Sequence, residues 1–369
     1  MNQLFGWKQT GLFLLALAAG ILPFAVPEVC AAALREGLTL CSGPLLLSLF
    51  PFLVVSRLLV QCPESDLLAL PFRLAAWGIG IRTPCAARVL CIGFLGGFAP
   101  AASAAAQAVR TGQLTAEEAD ALLPACICSG PSFVVLTVGQ SLLGSAELGV
   151  LLFASQITAN YLTAALLNRF AGVRSVKPGS AAPASPASPR LDEILADAAI
   201  TYCKLCGFIL FFRMLAAGAG ALLPAGAGTL CAVLLEVCSG CDLASRTGRW
   251  GSLLCCAALS VQGLSVLLQV RTICPPEMTL RPLYRSRLLH LPLSLALFYL
   301  LLPGGEADVF STLPARVLLM RRVPPDCALL VFAVCCMAAC TLRSGIRQVE
   351  QKQMARNAGG CCINSKTLL

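Results

Sequence analysis

An all-α, polytopic membrane fold follows from three features of the sequence. The chain has apolar runs of spanning length, little charge, and two glycine-interrupted segments that echo each other across a proline-rich linker. Of its 369 residues, 57% are hydrophobic and 12% are charged. A soluble domain carries about 25% charged residues. Several apolar runs reach the roughly 20 residues that a spanning helix needs. They are continuous rather than alternating in short segments of about ten, which argues against a β-barrel. The predicted architecture has two internal repeats that contain broken or re-entrant helical hairpins. The divisions are an N-terminal span at 1–35, a first repeat at 36–170 and a linker at 171–190. A second repeat at 191–305, a last span at 306–342 and a basic tail at 343–369 follow.

The net charge of +9 does not point to nucleic acid. Lys and Arg lie between the apolar segments and in the tail, where the positive-inside bias puts them, and no basic run is interleaved with aromatics. The partner implied is the lipid bilayer, in the cell membrane. The 21 cysteines are scattered through apolar segments, where free Cys behaves as a small hydrophobe. Cys203-Lys-Leu-Cys206 and Cys238-Ser-Gly-Cys241 share the C-x-x-C spacing, but His290 is the sole histidine of the sequence, so a Cys/His zinc site has little support. No metal or cofactor is expected. There is no phosphate loop, H-E-x-x-H or G-x-S-x-G motif, and the chain does not read as an enzyme.

In order, residues 11–26 form an apolar run after Lys8. It reads either as an uncleaved first span or as a signal peptide ending in small residues. Residues 37–60 follow, with kinks expected at Pro44 and Pro51, and with Arg57 expected to snorkel to the interface. Residues 66–81 form a shorter segment with Arg73 and Trp77. Residues 99–109 (APAASAAAQAV) present a nearly smooth surface, to which another backbone can come close. Thr115-Ala-Glu-Glu118 matches a capping box. The short helix it starts is expected to turn Glu117, Glu118 and Asp120 to water. Residues 122–140 return to apolar character and carry the break Ser129-Gly130-Pro131-Ser132. Residues 146–167 read as a plain span with Gln156 and Asn160 on one face, as glue between helices.

The linker at 171–190 contains four prolines with Ser and Ala, cannot build a core, and is basic enough to sit in the cytoplasm. Beyond it come a span over 194–222 and an apolar run at 225–242 that contains Glu236 and is expected to break in its polar end, Cys238-Ser-Gly-Cys241. A run at 251–270 has a break at Gln262-Gly263-Leu264-Ser265, and spans are expected at 288–303 and 325–342. His290 is expected to anchor at an interface. Laying Ser129–Thr137 on Gln262–Val270 puts Gly130 on Gly263 and Ser132 on Ser265. Interrupted helices at corresponding positions of two repeats point to a transporter-like site.

These residues resemble the YlbJ-like sporulation integral membrane proteins, of the nucleoside-recognition Gate domain group. The resemblance covers roughly residues 36–300. It rests on Gly97-Phe98, the segment Gly112-Gln-Leu-Thr-Ala-Glu-Glu-Ala-Asp-Ala-Leu-Leu123, Cys126-x-x-Ser129-Gly130-Pro131, Leu234-Leu-Glu236 with Gly240, and Gly263-Leu-Ser-Val266 with Gln269. The chain departs from the family where Ala99–Ser103 and Cys126-Ile127-Cys128 replace a basic residue and two amides, so the first half-site has lost polar groups. The resemblance implies a transporter or channel-like carrier of a small polar solute, with a coupling ion and self-association as open features. It also implies a role in spore cortex formation, in a mother-cell or forespore membrane. The alternative is a scaffold that transports nothing.

The expected solute-binding residues are Glu236, Gln262, Gly263, Ser265 and Gln269 in the second half, with Ser129, Gly130, Pro131 and Ser132 in the first. An ionisable residue inside an apolar segment is costly and reads as functional by default. For Glu236 the competing reading is a helix cap or a position at a wet hairpin tip.

Overall fold

The computed structural model describes residues 2–61, 65–172 and 191–302. Most of the linker, the last span and the tail lie outside the described residues. Among the described residues every regular element is helical. Four stretches of the described residues are long and apolar enough to cross a membrane: Pro27–Val60, Ala146–Ala171, Leu191–Leu222 and Gly248–Ile273. Large apolar side chains such as Phe24, Leu47, Phe170 and Leu288 project from the outside of the bundle, as a lipid-facing surface requires.

The chain opens with α1 (Asn2–Ala25), α2 (Pro27–Ser42) and α3 (Pro44–Gln61). The boundary falls at Gly43-Pro44, because a proline is tolerated in the first helical turn, where its missing N–H would be unbonded anyway. The helix continues through Pro51. Two short helices, α4 (Ser65–Leu68) and α5 (Leu70–Gly78), lead into α6 (Pro84–Gly96) and α7 (Phe98–Arg110). These two fold back on each other at Gly97, and a Cβ on Gly93 would lie 3.2 Å from that of Ala101. Ala-rich α7 makes this close packing possible, since nine of its residues, seven of them alanines, are buried.

Next comes α8 (Ala116–Cys126), started by the expected capping box. The Thr115 side chain accepts from Glu118 N at 3.1 Å, and Thr115 N donates to Glu118 Oε2 at 3.1 Å. The face beyond it is not wet as expected. Glu117 is exposed, but Glu118 and Asp120 are 3% and 6% exposed. Glu118 also accepts from Thr83 Oγ1 at 2.6 Å. Asp120 accepts from Thr279 N, Thr279 Oγ1 and Leu280 N at 2.8, 2.6 and 3.1 Å. The partners come from distant segments, which a local reading does not contain. After an extended stretch at 127–130 the chain enters a π-helix (Ser132–Leu142) and then α9 (Ala146–Ala171). The close packing of these two depends on Gly149, where a Cβ would lie 2.8 Å from Val135 Cα.

The second half begins with α10 (Leu191–Leu222), then α11 (Ala225–Leu235) and α12 (Val237–Ser245), which also fold back on one another. Here the break lies at Glu236, not at Cys238-Ser-Gly-Cys241. Gly240 is helical and lets the legs approach, since a Cβ there would lie 2.8 Å from Val233 Cα. A 3₁₀ turn (Gly248–Trp250) joins α12 to α13 (Gly251–Val261), and α14 (Gly263–Ile273) follows after a break at Gln262. The last described helix, α15 (Arg281–Leu301), starts seven residues before the expected position.

Buried polar contacts tie these elements together. Arg57 is 7% exposed and does not snorkel. It donates to Ser103 on α7 at 3.2 Å and pairs with Asp197 on α10. His290 is fully buried and sits against the Gln156 carbonyl at 3.2 Å, so it is not an interfacial anchor. Gln156 donates to Ser260 Oγ at 2.9 Å and joins α9 to α13. Asn160 donates to the Ile127 carbonyl at 3.4 Å and accepts from Arg287 at 3.4 Å.

Candidate functional site

Two chain reversals each meet a helix break. Gly97, at the reversal between α6 and α7, has φ 78°, and a Cβ there would lie 2.6 Å from Gly130 N. Gly263, at the break between α13 and α14, has φ 68°, and its Cβ would lie 2.9 Å from Glu236 N and from Leu235 O. Both positions need the left-handed backbone that glycine adopts without strain. In each half of the chain, therefore, a hairpin tip rests against the break of the following helix, backbone to backbone.

Both halves open onto one cavity of about 60 Å³. The first half contributes Ser129, Gly130 and Ser132, and the second contributes Glu236 and Gln269. Much of the remaining wall is apolar, with Phe98 and Phe133 from the first half and Val266 from the second. Leu45 and Leu49 of α3 and Ile209 of α10 also line it. These three were missed as site residues, because each is an apolar residue within an apolar span.

Glu236 is 2% exposed and serves as the N-cap of α12. Its Oε1 accepts from Cys238 N at 2.9 Å, and its Oε2 accepts from Ser239 N at 2.7 Å and Ser239 Oγ at 2.9 Å. A buried carboxylate is costly unless hydrogen-bonded. Here the amides and the positive end of the half-helix offset its charge. Glu236 is thus a helix cap at a hairpin tip, but the tip is buried and the cap lines the cavity. Gln269 is 1% exposed; its Nε2 donates to Ser265 Oγ at 2.9 Å, while its buried Oε1 has no hydrogen-bond partner among the described residues.

The other expected residues stand behind the wall. Ser265 holds Gln269, and Gly263 makes room for Glu236. Pro131 caps the π-helix. Gln262 has φ 63° and is 1% exposed, and neither of its amide atoms is hydrogen-bonded among the described residues. The π-helix beginning at Ser132 was not foreseen. Such i→i+5 segments are rare and occur frequently at functional sites. Among the described residues no group of three or more His, Cys, Asp or Glu side chains is placed to share a metal ion. No protein-family model matches the chain, and neither a curated protein nor a solved structure matches it.

Proposed function

We propose that this chain is a multi-pass membrane carrier of a small polar solute, built from two internal repeats. One repeat comprises the α6–α7 hairpin with the broken helix α8–π, and the other the α11–α12 hairpin with the broken helix α13–α14. The observation that carries the reading is the shared cavity, onto which residues from the breaks of both halves converge. Leg length supports a re-entrant disposition. The 13 residues of α6 or α7 span only about 20 Å at 1.5 Å per residue, short of the roughly 30 Å hydrocarbon core. Breaks in lipid need protein or water around their freed backbone groups, and a solute site between them is how carriers use such breaks. The resemblance to sporulation Gate proteins adds a role in endospore formation.

The test is solute uptake into proteoliposomes, with Glu236→Gln and Gly263→Leu beside the unaltered chain. Uptake that falls in both variants while both still insert and fold supports a carrier. If both variants retain full uptake and fully restore spore formation in a deletion strain, the transport site is not here and the scaffold reading replaces it.

A further inference from the structure

We infer that the cavity between the two halves recognises a primary ammonium group. This rests on the carrier reading above and specifies its solute. Among the described residues, Glu236 is the one lining residue with a formal negative charge, and no Lys or Arg lines the cavity. Arg213 lies within electrostatic reach of Glu236, but its guanidinium is committed to Glu36 at 2.8 Å. Counting Glu36, Arg213 and Glu236 together leaves one negative charge.

The hydrogen-bonding capacity has the same bias. A carboxylate offers about four lone-pair positions. Three at Glu236 are taken by Cys238 N, Ser239 N and Ser239 Oγ, which leaves one on Oε1. Gln269 has spent an amide N–H on Ser265, and its Oε1 is a buried acceptor without a donor among the described residues. Leaving such an atom unmatched is unfavourable. Glu236 and Gln269, which thus carry a charged and a neutral acceptor, both line the cavity, with Ser129 and Ser132 beside them. An R–NH₃⁺ group carries three donors and no acceptor on one atom, and its charge cancels that of Glu236. A short apolar body would rest on the Phe98, Phe133 and Val266 side of the wall. Size agrees, because about 60 Å³ holds roughly four water-sized units, room for a few non-hydrogen atoms.

The experiment is binding of radiolabelled methylammonium to the full chain in phosphatidylcholine nanodiscs. Ethylammonium, tetramethylammonium, glycerol, acetate and uridine serve as competitors. The expected result is saturable binding displaced by ethylammonium, with at least ten-fold weaker displacement by tetramethylammonium, which has the charge but no N–H. Gln269→Met, which keeps the volume and removes the orphan acceptor, should weaken binding about ten-fold. Glu236→Gln, which keeps a capping oxygen, should weaken it further. Competition by phosphatidylethanolamine added to the discs would make a lipid headgroup the source of the ammonium; no competition would make it a free solute. Equal displacement by tetramethylammonium overturns the donor argument. Saturable binding of radiolabelled glycerol or uridine, sensitive to Gln269→Met, with none of methylammonium, overturns the ammonium class and leaves the carrier reading standing. Absence of binding by every probe to a folded protein overturns both.

Discussion

Replacing Gly263 with alanine tests the junction of hairpin tip and helix break most directly. Two separable penalties arise. The backbone there has φ 68°, and an L-residue in the left-handed region is strained by about 1–2 kcal/mol. The new Cβ would also lie 2.9 Å from Glu236 N, 2.9 Å from Leu235 O and 3.0 Å from Leu235 C. Carbon atoms rest at about 3.5–4.0 Å, and these neighbours are backbone, which cannot rotate away. Overpacking of this kind adds roughly 1–3 kcal/mol, for a total of about 2–5 kcal/mol. Gly112 supplies the control: its φ is 69°, but a Cβ there meets nothing within 4 Å, so Gly112→Ala carries the strain alone. Gly97→Ala should be at least as damaging as Gly263→Ala, because its Cβ would lie 2.6 Å from Gly130 N. The assay is unfolding of the purified protein in mixed micelles by increasing SDS fraction, followed by circular dichroism. If Gly263→Ala and Gly112→Ala lose the same stability, the tip does not rest on the break.

Asp120→Ala removes three hydrogen bonds to Thr279 and Leu280, at a turn where Leu280 itself has φ 56°. It should destabilise by about 3 kcal/mol in the same assay, since bonds to a charged group contribute roughly 1.5–3 kcal/mol each and do not add fully. Glu117→Ala, one turn away and exposed, should change stability by less than about 0.5 kcal/mol. Gln262→Gly relieves a left-handed non-glycine residue and deletes two unmatched buried amide atoms. It should stabilise by about 1 kcal/mol after allowance for the extra freedom of an unfolded glycine. A loss of stability would show that the amide supports the fold.

What the sequence made legible was local. The capping box at Thr115 needs four consecutive residues and was found intact. A break near Gly130 and another near Gly263 announce themselves through glycine inside apolar runs. The break at Glu236 was misplaced by a few residues because glycine was weighted as the breaker. Gly240 instead serves close helix packing, and the glutamate caps the helix that starts after it. Burial of Glu118, Asp120, Arg57 and His290 was not legible, because each is bound by a segment remote in sequence. Which of the nine candidate residues face the cavity and which stand behind it was equally a long-range matter. Gln262, Gly263 and Ser265 alternate with their neighbours on a helix end whose rotation no local pattern sets.

The two halves differ in their buried polar atoms. Three side-chain atoms without partners among the described residues, Gln262 Nε2, Gln262 Oε1 and Gln269 Oε1, lie on or just after the break between α13 and α14. Leaving such an atom unmatched costs about 1–3 kcal/mol, and an apolar residue of similar size would avoid the cost. At the break of the first half, Cys126, Ile127 and Cys128 are buried with apolar or thiol side chains. There the Ile127 carbonyl is matched by Asn160 and, behind it, Arg287. Local rules broken without compensation concentrate at functional positions, and here they concentrate in the second half. The first half then shapes the cavity through Gly97, Gly130 and the hydroxyls of Ser129 and Ser132. The second half holds the buried acceptors, Gln262 Oε1 and Gln269 Oε1, that have no donor among the described residues.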